Sequence, residues 1–361
     1  MDRSTTIAEE LAVRGISRRE FLKFCTIMAG VLALPVDRAA KIARALETAR
    51  RPAVVWLEFQ SCTGCTESLL RANRPTVAEL VLDILSLNYS ETIMAPAGHA
   101  AEKSLRDTVR EGGYLTIVEG AIPTADDGVY CCISGHSALE ILQEVAAHTA
   151  AIITVGACAF YGGWPSTTPN PTGAKGVKDI VSGVPIVNLP GCPLNVDNLT
   201  ATVVHYLTFK ELPALDDLGR PLFAHGRRIH DNCERRGHFD AGEFVEAWGD
   251  KGHRNGWCLY KMGCKGPVAF MNCPAIRWNE GTSWPVGAGH GCIACGAPHF
   301  WEMYAYEPVP IHALAPPTTY PTVEPEEGMS PVTAGVIGAA VGAAAGVAGA
   351  VAVSQLAKKQ E

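Results

Sequence analysis

Ala53-Val-Val-Trp-Leu-Glu-Phe59-Gln-Ser-Cys62-Thr-Gly-Cys65-Thr-Glu-Ser68 leads a short apolar run into a CxxC turn and the opening of a helix. A bounded run of this length, rich in β-branched and aromatic residues, reads as a buried strand. Similar runs recur at Tyr114–Val118, Ala151–Val155 and Pro185–Leu189, while Thr76–Ile84, Ala138–Ala150 and Val196–Leu207 have helical length and spacing. Strands alternating with helices predict a parallel sheet covered on both faces.

The expected fold is therefore α/β, with a doubly wound, flavodoxin-like domain over 51–210. Ligands of such sheets sit beyond the carboxyl ends of the strands. Cys62 and Cys65 follow the first run, Cys158 the third and Cys192 the fourth, so all four fall on one sheet edge. Converging thiolates suit zinc or an iron–sulfur cluster, although a CxxC pair alone also suits a redox disulfide.

From 211 to 307 periodicity fades and Gly, Pro, Trp, His and Cys rise. A loop-rich region of this kind needs a staple such as bound metal. It contains His230-Asp-Asn-Cys233, then Cys258 and Cys264, Cys273, and Cys292-Ile-Ala-Cys295. Spacing alone leaves zinc and iron–sulfur equally open here.

The ends have a different texture. Ser17-Arg-Arg-Glu-Phe-Leu-Lys23 precedes an apolar run to Pro35, too short to span a bilayer and shaped as an export signal of the twin-arginine type within residues 1–50. The mature chain is expected to begin between Ala39 and Pro52. Residues 308–330, rich in Pro and Thr, read as a linker. Pro331 to Leu356 is uncharged and precedes Lys358-Lys359. As a helix it would reach roughly 39 Å, enough to cross a bilayer, so 331–357 is expected to be a membrane anchor with the globular part outside. A net charge of -7 excludes a basic nucleic-acid footprint.

The motifs join these readings. Cys62-Thr-Gly-Cys65-Thr-Glu-Ser, Val118-Glu-Gly-Ala-Ile-Pro123, Pro169-Asn-Pro-Thr172, Pro190-Gly-Cys-Pro193, Arg228-Ile-His-Asp231, Tyr260-Lys-Met-Gly-Cys-Lys-Gly266 and Gly289-His-Gly-Cys-Ile-Ala-Cys295 together resemble the small subunit of nickel–iron hydrogenases, from about Pro52 to Tyr306. The resemblance implies an electron-transfer subunit of a hydrogen-oxidising enzyme, with no catalytic residue in this chain and a nickel–iron large subunit as partner. It assigns Cys62, Cys65, Cys158 and Cys192 to a proximal 4Fe–4S cluster. His230, Cys233, Cys258 and Cys264 match a distal 4Fe–4S cluster, and Cys273, Cys292 and Cys295 a medial 3Fe–4S cluster, with Pro285 where a fourth ligand would stand. It further implies a periplasmic location, and a membrane cytochrome b or similar acceptor would fit the hydrophobic tail and an outward-facing distal cluster.

Oxygen-tolerant relatives carry two extra cysteines where this chain has Gly64 and Gly163, so the standard four-cysteine proximal site is expected. Ser61 stands where many relatives have Glu. Cys131 and Cys132 match no cluster position. Glu67 and Glu119, near strand ends, are candidates for partner contact or proton traffic, or else plain solvated or capping carboxylates. His290 and His299 receive no role. Two other classes stay in view: the related cluster subunit of a quinone reductase, which needs only the first domain, and an exported zinc or disulfide protein.

Overall fold

The computed structural model describes residues 6–13, 15–72, 84–279 and 281–302. In chain order its longer elements are α1 (Ile7–Val13), α2 (Arg18–Val31), α3 (Arg38–Thr48), β1 (Ala53–Glu58), α4 (Gly64–Leu70), β2 (Ser86–Ser90), α5 (His99–Glu111), β3 (Leu115–Glu119), β4 (Cys132–Ile133), β5 (His136–Ser137), α6 (Ala138–Ala146), β6 (Ala151–Val155), α7 (Gly156–Tyr161), β7 (Ile186–Leu189) and α8 (Val196–Phe209).

Val54 and Trp56 of β1 pack into one hydrophobic cluster while Val55 and Leu57 pack into another. Successive side chains point to opposite faces of a strand, so a continuous apolar run is what a sheet buried on both faces requires. The sheet is parallel, five-stranded and ordered β2-β1-β3-β6-β7. This is the flavodoxin-like order. Leu105 and Val109 of α5 and Leu142 and Val145 of α6 cover one face. Leu199, Val203 and Val204 of α8 belong to the cluster on the other.

All four expected strands are present, with ends shifted by a residue where the apolar run and the ladder part company. The fifth, β2, is not foreshadowed in the sequence. Its residues, Ser-Leu-Asn-Tyr-Ser, lack an apolar run because it lies at the sheet edge, beside β1 alone. The helix α5 is likewise unforeseen; its apolar positions are few among charged residues. Helix α6 stops at Ala146 rather than Ala150, and α8 extends to Phe209. The helix expected over Thr76–Ile84 lies outside the described residues except for Ile84, and the linker and anchor segments lie wholly outside them. No described helix is long and apolar enough to cross a membrane.

Residues ahead of β1 fold as well. A capping box between Ser17 and Glu20 starts α2, and Phe21, Cys25, Met28 and Ala29 line its buried face at helical spacing. Ile42 and Leu46 of α3 are fully buried with them, in the same cluster as α8.

Beyond α8 the chain is mostly turns and short helical pieces. It is tied to the sheet at Asn188, whose side chain accepts from Thr154 Oγ1 and donates to the Leu218 carbonyl, both at 2.8 Å. Truncating Asn188 leaves the buried Thr154 hydroxyl and the half-buried Leu218 carbonyl without this partner. We expect Asn188→Ala to cost about 1–3 kcal/mol, measured as a lowered thermal midpoint of the assembled protein by circular dichroism.

Candidate functional site

Every strand that precedes a candidate ligand delivers it at the carboxyl edge. After β1 the backbone turns left-handed at Thr63 and begins α4, placing Cys65 in its first turn. The central strand β3 ends in Glu119, a buried carboxylate that accepts from Cys65 N at 3.0 Å, Thr66 N at 2.8 Å and Thr66 Oγ1 at 2.8 Å. These are charge-assisted bonds to backbone donors at a helix start. Glu119 thereby fixes the CxxC turn to the middle of the sheet, which makes it a positioning residue. Glu67, by contrast, is exposed and paired with Arg71 at 2.8 Å, the solvated alternative.

Thr66 Oγ1 also reaches Glu58 Oε1 at 3.0 Å, and Glu91 accepts from Glu58 N at 2.9 Å. Burial pushes the Glu58 carboxyl up, and pushes that of Glu91 up to about 8. Neither stands out in the sequence, where each is one acid among many.

The other two thiols arrive through glycines. Gly156, at φ +85°, opens α7 after β6, and a Cβ there would lie 2.5 Å from Cys65 Sγ. Gly163, at φ +55°, closes on Cys158, where a Cβ would meet Sγ at 2.6 Å. Neither position admits a side chain without displacing a thiol. A Cβ on Gly64 would stand 3.1 Å from Cys62 Sγ, so both Gly64 and Gly163 sit directly against this thiol group.

All thirteen cysteines are free. Burial pushes the Cys65 thiol well up, with Glu119, Cys158 and Cys192 adding to it. Burial raises Cys158 to about 12, helped by Cys192 and Cys62. Cys62, Cys65, Cys158 and Cys192 thus form one electrostatically coupled group.

The second group surrounds a small cavity lined by His230, Cys233, Cys258 and Cys264. Burial raises Cys233 to about 11 and Cys258 to about 12, each coupled to Cys264. Burial lowers His230 to about 4, with Arg236 adding to the effect, so its imidazole is neutral and able to donate a lone pair. Its ring packs edge-on against Phe239 at 4.5 Å. Two cations unread in the sequence serve this group. Arg235 donates to the Trp257 carbonyl at 2.8 Å, and the buried Lys265 donates to that of Gly263 at 2.8 Å. Both favour the thiolate form of Cys264.

The third group, Cys273, Cys292 and Cys295, lines a cavity of about 430 Å³ together with Cys192 and Pro285. Burial raises Cys273 to about 12, and Cys295 adds to it. Cys131 and Cys132 stay apart from all three groups, at the β4–β5 hairpin, with Cys132 exposed. His290 stacks on Trp248 at 5.7 Å, and His299 lies 4.0 Å from Glu302.

Thiols buried in sets of this kind carry a cost as isolated anions that bound iron offsets. Among the described residues no three His, Cys, Asp or Glu side chains converge on a single metal ion. In their chemistry the donor sets, ten free thiols and one neutral imidazole in three groups, fit iron–sulfur clusters, which they would hold through sulfur and nitrogen.

Residues 225–307 match the C-terminal family model of the NiFe/NiFeSe hydrogenase small subunit, and 62–206 match the model of the NADH ubiquinone oxidoreductase 20 kDa subunit. The periplasmic NiFe hydrogenase small subunit 1 of Nitratidesulfovibrio vulgaris is 50% identical, over 81% of this chain and 93% of that protein. The chain belongs to the nickel–iron hydrogenase small subunits. The uptake hydrogenase small subunit of Azotobacter vinelandii is 42% identical over 99% of both chains. A solved NiFeSe hydrogenase from Desulfomicrobium baculatum superposes with a TM-score of 0.67 at 36% identity, covering 73% of this chain and 100% of its own. Hydrogenase small subunits are iron–sulfur proteins that pair with a large subunit.

The close approaches at this edge are testable. Gly156→Ala forces a Cβ onto the Cys65 thiol, and the purified variant is expected to lose the iron of one cluster, read by metal analysis. Glu91 binds its proton more tightly folded (about 8) than unfolded (about 4.5), so its favourable contribution is complete below pH 4.5 and is lost as pH rises towards 8. Glu91→Gln is expected to flatten the fall in thermal midpoint between about pH 4.5 and pH 8.

Proposed function

We propose that this subunit relays electrons from hydrogen oxidation in a nickel–iron large subunit, through three iron–sulfur clusters, to a membrane acceptor such as a cytochrome b. When bound, such clusters supply one-electron carriers whose potentials follow ligand type, charge, hydrogen bonding and burial. Cys62, Cys65, Cys158 and Cys192 would hold a proximal 4Fe–4S cluster. Cys273, Cys292 and Cys295 would hold a medial 3Fe–4S cluster beside Pro285, and His230, Cys233, Cys258 and Cys264 a distal 4Fe–4S cluster.

The observation that carries this reading is the continuity of the three groups. The Cys192 thiol, raised to about 11 by burial, is next raised by Cys295 of the medial set. At the other end, Cys292 N donates to Cys264 Sγ of the distal set at 3.3 Å. These two contacts, with Cys273, Cys292 and Cys295 adjoining each of the other groups, support a stepwise path from proximal through medial to distal. The quinone-reductase alternative accounts for the first region alone; the match over 225–307 favours the hydrogenase reading.

Location enters on the same footing. Arg18 and Arg19 are exposed at the start of α2, where an export machinery can read them. The uncharged stretch 331–356 supports a membrane anchor, with the folded part on the periplasmic face.

Neutral His230 leaves the distal set one negative charge short of an all-thiolate set. His230→Cys is expected to lower the distal potential by on the order of 100 mV, scaled from histidine-for-cysteine ligation in other clusters. Potentiometric EPR titration of the two heterodimers checks it; an unchanged or raised potential would sink the assignment of His230.

A further inference from the structure

Two asparagines at the start of α8, Asn195 and Asn198, are buried, at 4% and 2% exposure. A buried amide costs free energy unless its donor and its acceptor are both paired. The Asn195 side chain caps α8 by accepting from Asp197 N at 3.0 Å, and its amide donates to the Arg277 carbonyl at 2.6 Å. Asn198 exchanges two bonds with Asn272. Its amide donates to Asn272 Oδ1 at 3.0 Å, and the Asn272 amide donates back to Asn198 Oδ1 at 2.8 Å.

Both partners flank one candidate ligand. Cys273 opens the short helix Cys273–Ile276, with Asn272 ahead of it and Arg277 behind. The Asn272 carbonyl accepts from Ala275 N at 2.9 Å and Ile276 N at 3.1 Å, and Arg277 N donates to the Cys273 carbonyl at 2.9 Å. Each end of that helix is thus held by a side chain of α8. On the α8 side, Cys192-Pro-Leu-Asn195 carries a thiol of the first group directly into the same clamp. Cys192 and Cys273 line one cavity. The asparagines therefore tie a thiol of the first group to a thiol of the third, across the two regions of the chain. An amide pair sets position without adding a charge beside the thiols, which an ion pair would do.

We propose that Asn195 and Asn198 are positioning residues for electron transfer, fixing Cys273, and with it the medial cluster, against the proximal one. The inference rests on the assignment of Cys192 to a proximal and Cys273 to a medial cluster. Both asparagines act through the backbone on either side of Cys273. Electron transfer between clusters weakens steeply as they separate, and a ligand whose support is loosened holds its iron less tightly.

The heterodimer is purified anaerobically in two variant forms. Asn198→Leu removes the amide and strands that of Asn272, while Asn195→Asp keeps the cap acceptor and loses only the donor to Arg277. Val203→Ala, on α8 but in the apolar cluster shared with the sheet, is the control for stability alone. EPR reads the oxidised 3Fe–4S signal per chain, its midpoint potential and its decay under an iron chelator, with the reduced 4Fe–4S signals as internal reference. Both asparagine variants should lose the medial signal to chelator about tenfold faster or more, with a shifted medial potential and the 4Fe–4S signals kept. Val203→Ala should lower the thermal midpoint and leave the medial signal as in the wild type. Where Asn198→Leu does not assemble, Asn195→Asp decides. An assembled variant with wild-type medial potential and chelator resistance overturns the proposal. Parallel loss of all three signals, or a Val203→Ala protein that behaves like the asparagine variants, reduces the clamp to stability and overturns it too. A wild-type heterodimer without any 3Fe–4S signal removes the cluster assignment itself, and the proposal with it.

Discussion

Nine of the ten candidate thiol ligands are pushed up by burial, several to about 11 or 12. Charged thiolates crowded in a poorly polarisable interior repel one another and lose hydration. Iron bound among them would offset both costs, and the arrangement of the three groups fits that constraint. The parallel sheet brings the first four thiols to a single edge. The region after α8, with little regular structure, places Cys273 and Cys292 in its own apolar cluster beside Trp284 and Phe300. Loops of this kind hold their shape because their ligands share a common centre.

Fixed charges refine the arrangement. Glu119 holds the CxxC turn through three hydrogen bonds and sets a negative charge beside Cys65. At the far end, Lys265 and Arg235 set positive charge beside Cys264. The first thiol group therefore lies beside a carboxylate and the second beside cations, a difference that would favour reduction of a cluster at the second group over one at the first.

Much of this is legible in the residues alone. The four apolar runs ending in cysteines mark the sheet and its functional edge, because burial on both faces leaves a continuous apolar signature. Edge strand β2 lacks that signature: only Leu87 and Tyr89 of its five residues pack on the core, while Asn88 bonds the Thr108 hydroxyl and Ser86 and Ser90 are polar. The candidate ligands are visible as Cys and His, but spacing cannot separate zinc from iron–sulfur; only the ordered set of motifs can. Glu58, Glu91 and Arg235 are not legible at all, because their roles come from burial and contacts across tens of residues of chain, and Lys265, beside Cys264 in sequence, is marked only by its burial. The leader reads as an appendage on charge and length. Its amphipathic helices, with Phe21, Cys25 and Met28 on one face, cover α8 in the structure.

A relay of three clusters in one chain is the claim on which the functional account stands. Iron and labile sulfide per chain, with EPR on the heterodimer purified anaerobically from membranes, tests it most directly. Two 4Fe–4S clusters and one 3Fe–4S cluster predict about eleven irons beyond the nickel site and an oxidised 3Fe–4S signal. Zinc in place of that iron, or iron for the proximal group alone, would contradict it.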